Sequence, residues 1–468
     1  MENALDVKSV KYVRCRNNRL EYPNLYINLY APILITCLMK RSKSHFAILC
    51  LSLFFLLPSQ TLFSNDKEKP NDRRYFVSSV PIKEREYSFI IQDSPSALFT
   101  MRQSNESFLS LYRLGVREIN KIGSNKISSV SQMLLQCVFF MPLTHEEGHR
   151  SILTAEGIGS ISKPYFNKNL VAYVVGVRDE TLVNLRNANL PVATRMYTAG
   201  LESDYALLLR ESSMLNWNEE SYKVLWIEYF FRKVSLVSYY ATGLFNMNIK
   251  LKEENNEFDR DIAGHDVYGA ARALHNPGMD FKRYVDYSNL SPDERKFVKR
   301  VGWRSLLNII DLTLFGHNGF RVNDKYRINF SLGYSMAPFG DFIDEHFWFY
   351  SNSLKAHLYF RQFQNHSNWY PAVGIDFKDI KIARNLSSNI GVHGWSQPKG
   401  LKFIQDKGDL GGALDVMFKY RFIPKTEGSF SGISLNLGLI LKSEGFLPEE
   451  VIMDSHFGLR FGASFWLK

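Results

Sequence analysis

Residues 431–442 read SGISLNLGLILK. Ile433, Leu435, Leu437, Leu439 and Leu441 take every second place, and Ser434, Asn436 and Gly438 stand among the places between. Successive side chains of a strand point to opposite sides of a sheet, so this stretch predicts a strand with one apolar and one mixed face. The same period of two begins near residue 325. It sets Tyr326, Ile328, Phe330, Leu332 and Tyr334 on one face of KYRINFSLGY, and Leu354, Ala356, Leu358 and Phe360 on one face of SLKAHLYF. It continues through Val373, Ile375 and Phe377, then through Leu414, Val416, Phe418, Tyr420 and Phe422. The chain closes on Phe457, Leu459, Phe461, Ala463, Phe465 and Leu467.

Turn-rich links such as PKTEGSF, QPKG and QNHSN separate these segments. Segments of roughly ten residues, apolar outside and polar or small inside, are the pattern of an outer-membrane barrel, and roughly seven or eight of them approach the smallest number that closes. The same alternation also suits a soluble antiparallel sheet whose apolar face packs on a preceding domain. The last strand resembles the C-terminal signature of bacterial outer-membrane proteins, an alternating strand that ends in an aromatic. Here Phe465 and Trp466 are followed by Leu467 and Lys468.

Composition agrees with a folded, exported chain. The 468 residues are 45% hydrophobic and 22% charged, too apolar for a disordered protein and long enough for more than one structural unit. The net charge is +10, with the positive residues scattered rather than blocked. That argues against nucleic acid and for solubility or contact with an anionic membrane surface.

Residues 39–65 begin MKRSKSHFAILCLSLFFLLPSQ. Lys40, Arg41 and Lys43 precede an apolar run from Phe46 to Leu57 of signal-peptide length. A signal peptide would start at Met39, which makes residues 1–38 a mis-called start or an extension. A membrane anchor is the alternative. Cleavage near residues 63–66 removes Cys15, Cys37 and Cys50 and leaves Cys137 alone, so the mature chain has no disulfide framework. Cys137 lies in an apolar helical segment and reads as inert core. Residues 66–99 read as a polar lead with short strands.

Residues 100–320 read as a helical domain, and 321–468 as the antiparallel barrel or barrel-like sheet, giving an α+β chain. Helical spacing appears in 129–143, ending near Pro142, and in 196–215, 220–245 and 266–275, the last closed by Asn276, Pro277 and Gly278. Ser291 and Pro292 open a further helix.

Within this region residues 144–150 read THEEGHR. His145 and His149 lie four apart, on one face of a helix, where two imidazoles can hold one Zn²⁺ while Glu146 projects beside it. Pro142, and the T-x-x-E box formed by Thr144 and Glu147, point to a helix start at Thr144. The plain alternative is a capped, polar helix start without metal. With Gly148 before His149, the motif resembles that of the zincin metallopeptidases, nearest to those with a glutamate third ligand. The resemblance spans a local motif of about 60 to 70 residues rather than a whole domain. It implies His145 and His149 as ligands and Glu146 as general base.

A third ligand must come from elsewhere. Glu202, on a later helix after Gly200, is the first choice. Asp204, two residues on, suits an outer role orienting a ligand histidine. A second region holds Asp261, His265, Asp266 and His275. His265 or Asp266 could complete the site, and Asp266 could instead cap a helix. No nucleophile elbow, P-loop or dinucleotide fingerprint competes.

Together these signs lead to an expectation of a Zn²⁺-dependent peptidase of the envelope of a diderm bacterium. It would act on a peptide or protein substrate and contact outer-membrane lipid. The alternatives are a non-enzymatic outer-membrane barrel with a periplasmic helical domain, and a helical peptidase of the inner membrane.

Overall fold

The computed structural model describes residue 82 and residues 84–468, except 96–97, 123–124, 164–171, 250–252, 318, 324 and 424–428. The expected extension (1–38), signal peptide (39–65) and the start of the polar lead lie outside the described residues. The described residues from 82 to 468, helical and sheet alike, group as one compact unit.

Strand β1 (Arg85–Gln92) is followed by helices α1 (Met101–Ile122) and α2 (Asn125–Leu135). A π-helical turn, Gln136–Phe140, then leads without a break into α3 (Met141–Ala155). The helix expected to end near Pro142 therefore continues. The wide turn closes with Met141 N–H donating to the Gln136 carbonyl, and Pro142 falls in the first turn of α3, where no N–H is needed. The expected cap at Thr144 does not form. Its hydroxyl reaches back to the Phe140 and Met141 carbonyls at 3.2 and 3.3 Å, and Glu147 pairs with Arg150 at 2.6 Å. His145 thus stands inside a continuous helix.

A short hairpin, β2 (Ile161–Lys163) with β3 (Tyr173–Val175), precedes α4 (Asp179–Ala188), α5 (Leu190–Asn216) and α6 (Tyr222–Ala241). Helices α7 (Asp266–His275) and α8 (Pro292–Ser305) follow. Asn189 caps α5 by accepting from Val192 N–H, and Ser291 and Glu294 cap α8 reciprocally. Helix α5 is buried along nearly its whole length and forms the centre of the molecule.

The sheet contains β4 (Phe320–Arg321), β5 (Arg327–Ala337), β6 (Gly340–Tyr350), β7 (Lys355–Gln364), β8 (Trp369–Ala383), β9 (Leu386–Pro398), β10 (Gly408–Ile423), β11 (Phe430–Lys442) and β12 (His456–Leu467). They pair antiparallel in chain order, and β1 adds to β12 to make ten strands. The sheet is not closed into a barrel, because its two edges pair with helical segments instead of with each other. Along β1, the Ser110 hydroxyl accepts from Ser88 N–H at 3.0 Å and donates to Ser88 O at 2.7 Å. Along β5, Asn308 exchanges two hydrogen bonds with the Tyr334 backbone at 3.0 and 3.1 Å, and Leu332 N–H reaches Ile310 O at 2.8 Å. Edges satisfied in this way no longer seek a partner strand.

The two faces carry opposite polarity. On the face toward α1 and α5, Asp344, His346, His357, Arg361, Lys419 and Arg460 are buried. Burial of so many charges is tolerable only when each is paired. Arg361 grips Asp344 through two bonds of 2.7 Å, and Arg460 reaches Asp93, Asp415 and Glu450 at 2.7, 2.6 and 2.9 Å. The opposite face is apolar and points away from the helices. One cross-strand row runs in register through Phe457, Leu441, Leu414, Val392, Ile375, Leu358, Phe347 and Phe330, and none of the eight is buried. The expectation that a soluble sheet would lay its apolar face on the helical region is therefore reversed.

Candidate metal centre

Helices α3 and α5 cross where both carry glycine. A Cβ at position 148 would overlap the Ala199 carbonyl, so only Gly148 permits this approach. A Cβ at position 200 would lie 2.5 Å from Nε2 of both His145 and His149. Gly200 therefore leaves open the space onto which the two imidazoles converge. Sequence reading passed over it, although a glycine inside a long apolar helix signals a close approach.

The outer nitrogen of each ring is committed. His149 Nδ1 donates to the Met196 carbonyl at 2.6 Å. A carbonyl oxygen only accepts, so the proton sits on Nδ1 and leaves a lone pair on Nε2. His145 Nδ1 lies 2.8 Å from Asp204 Oδ2, the outer role expected of Asp204. Arg232 on α6 holds the other oxygen of Asp204, and Glu228 in turn holds Arg232.

The two Nε2 atoms stand 3.3 Å apart, and Asp266 Oδ2 lies 3.2 and 3.4 Å from them. Asp266 is set by the first turn of α7, where its N–H donates to the Tyr239 hydroxyl at 3.2 Å. Its Oδ2 is buried and accepts no hydrogen bond. Nε2 of His145, Nε2 of His149 and Oδ2 of Asp266 thus converge on one point, and the charge of Asp266 helps raise both imidazoles above their ordinary value. The separations of the three atoms fit a tetrahedral ion, which at bonds of about 2.0 Å holds ligands about 3.3 Å apart. Among the described residues, His145, His149 and Asp266 are a cluster that could hold a metal ion.

Glu146 is buried beside the cluster, and burial pushes its carboxyl up to about 8. The imidazoles oppose that rise, while Asp261 and Asp266 reinforce it. The Asp266 carboxyl is held well below the usual range by the two histidines, which outweigh its burial. Burial raises Asp261 to about 6. Its oxygens accept from Val174 and Gly264 N–H at 3.3 and 3.1 Å, which pins the loop leading into α7.

The remaining candidates lie elsewhere. Glu202, expected as third ligand, accepts from Arg195 at 2.6 and 2.9 Å and from Glu449 N–H at 2.8 Å, and the carboxylate beside the two imidazoles is that of Asp266. On α5 both Asp204 and Gly200 face the histidines, and a residue two positions from each turns toward the sheet side. His265 caps α7 and stacks on Tyr268 at 3.9 Å, and burial lowers it to about 4. His275 packs against Phe403 and Phe297 at the far end of α7. Cys137 is a free thiol on the π turn. A cavity of about 610 Å³ lies away from this centre, between the charged face of the sheet and helices α1 and α5.

No family model matches the chain, and no curated protein or solved structure matches it.

Proposed function

We propose that the protein is a zinc-dependent peptidase, with His145, His149 and Asp266 as ligands. The observation that carries this reading is the meeting of the half-buried His145 with the buried His149 and Asp266 at tetrahedral spacing beside Glu146. Two imidazoles and one carboxylate suit zinc, and three protein ligands leave the fourth position that hydrolysis needs. Zinc in this setting supplies the Lewis acidity that makes water nucleophilic near neutral pH and polarises a carbonyl.

The chain's own groups do the rest. Asp204 and the Met196 carbonyl hold each imidazole with Nε2 turned inward. Glu146, beside the two imidazoles, accepts a proton from the attacking water in its ionised form and passes it to the leaving amine. Arg232 holds Asp204 in place.

Two measurements test the reading. The purified full chain should carry about one zinc, lost in His149→Ala. Glu146→Gln should keep the zinc and lose peptide hydrolysis. A folded chain that takes up no zinc, or a Glu146→Gln variant as active as the parent, would refute it. Zinc without hydrolysis in any form would leave a metal that only ties α3 to α7.

A further inference from the structure

We infer that the sheet and the helical segments at its edges form one continuous wall whose outer surface is seated in a lipid bilayer. This does not rest on the peptidase reading.

The first observation is the reversed polarity. Soluble sheets bury their apolar face, but here Leu435, Leu437, Leu441, Phe457, Leu459 and Phe461 are between 45 and 60% exposed, while the charged residues are inside. Exposed apolar patches on soluble monomers rarely exceed a few hundred Å². This one runs in register across eight strands, about 34 Å at the usual strand spacing.

The second is its height. On β10 the outward residues run from Leu410 to Phe422. Twelve residue steps cover roughly 40 Å along a strand. At the tilt of about 40° taken by membrane-spanning strands, that becomes roughly 30 Å, the thickness of a bilayer's hydrocarbon core.

The third is that the belt does not stop at the sheet edges. Helix α1 seals β1 through Ser110, and its outer face shows Leu111. Helix α2 and the π turn show Val130, Leu134 and Phe139. Gln136 then joins α6 through Glu228 at 2.9 Å, and Trp226 of α6 reaches the Leu314 carbonyl at 3.1 Å. That last segment, which seals β5, shows Ile309, Ile310 and Phe315. Exposed apolar side chains thus continue from the outer face of the sheet onto α1, α2, the π turn and the segment 309–315. A second copy or a partner protein would cover one side of such a belt, whereas acyl chains surround it.

The test uses the full chain in vesicles of phosphatidylcholine and phosphatidylglycerol, with or without brominated acyl chains. Leu437→Trp and Val392→Trp add a reporter on the belt, apolar for apolar at exposed positions. Asp280→Trp adds one on an exposed turn of the helical part. Brominated chains should quench the added fluorescence at 437 and 392 at least twofold more than at 280. Leu437→Arg should lower the vesicle-bound fraction about tenfold. Equal quenching at the three positions overturns the inference. So does a chain that stays in detergent-free solution as a monomer or dimer and does not float with vesicles. Zinc content should be the same in all these variants, which separates this outcome from that of the metal centre.

Discussion

The metal centre and the inner face of the sheet both bury charge, but they satisfy it differently. On the sheet each acid meets a base: Asp344 meets Arg361, and Asp415 meets Arg460. At the candidate centre two imidazoles and one carboxylate meet around a single point, and Arg232 is spent on Asp204. A buried network that closes on itself is explained by structure alone. One left open around a point the size of an ion calls for a ligand.

The sharpest break of this comparison is at Asp266. Asp266→Ala is expected to lower zinc from about one per chain to none and to abolish hydrolysis, while Glu202→Ala keeps the zinc. Metal analysis of both variants decides which carboxylate is the ligand. Gly200→Ala should also empty the site in a folded chain, since the new methyl occupies the space between the imidazoles.

Next in size is Glu146→Gln, expected to lower hydrolysis by about 10² to 10⁴-fold with zinc retained. On the sheet side, Asp344→Ala leaves Arg361 buried without a partner. It should cost about 3–5 kcal/mol in denaturant unfolding, with unchanged zinc per folded molecule. Loss of zinc there would erase the distinction between the two networks. Asp204→Asn keeps a hydrogen bond but not the charge, and should weaken zinc binding about 10- to 100-fold in a competition titration.

The smallest effect concerns His275. Burial lowers its folded value to about 4, against about 6.5 for an unfolded histidine. Between those values the unfolded chain binds more protons. The contribution is therefore full above about pH 6.5 and is lost as the pH falls toward 4, by about 1–2 kcal/mol after allowance for partial exposure. His275→Phe should flatten that part of the stability curve.

Much of this was legible in residue order. Alternation in 431–442 places Leu435 and Leu437 on one side and Asn436 on the other whatever the chain does next, because a strand's side-chain period is fixed at two. Spacing alone puts His145 and His149 on one helical face. The helix start at Pro292 followed from its local Ser291–Glu294 cap, whereas α7 is capped by His265 and takes Asp266, expected as its cap, as its first helical residue.

What spacing could not supply was anything that depends on a distant segment. The carboxylate that joins the two histidines, Asp266, comes from α7, more than a hundred residues from His145, and only the packing of α7 against α5 brings it there. Pro142 read as a stop, because a π turn that absorbs it has no local signature. Above all, alternation separates the faces of a strand but does not say which one meets the helices. That was decided by α5, whose Tyr205 reaches Asp344 at 2.7 Å and draws the polar face inward, leaving the leucines outside. The sequence by itself determined the strands, their two faces and the histidine pair. Tertiary structure decided the open sheet, the outward apolar belt and Asp266, because each depends on contacts between residues that the chain order keeps far apart.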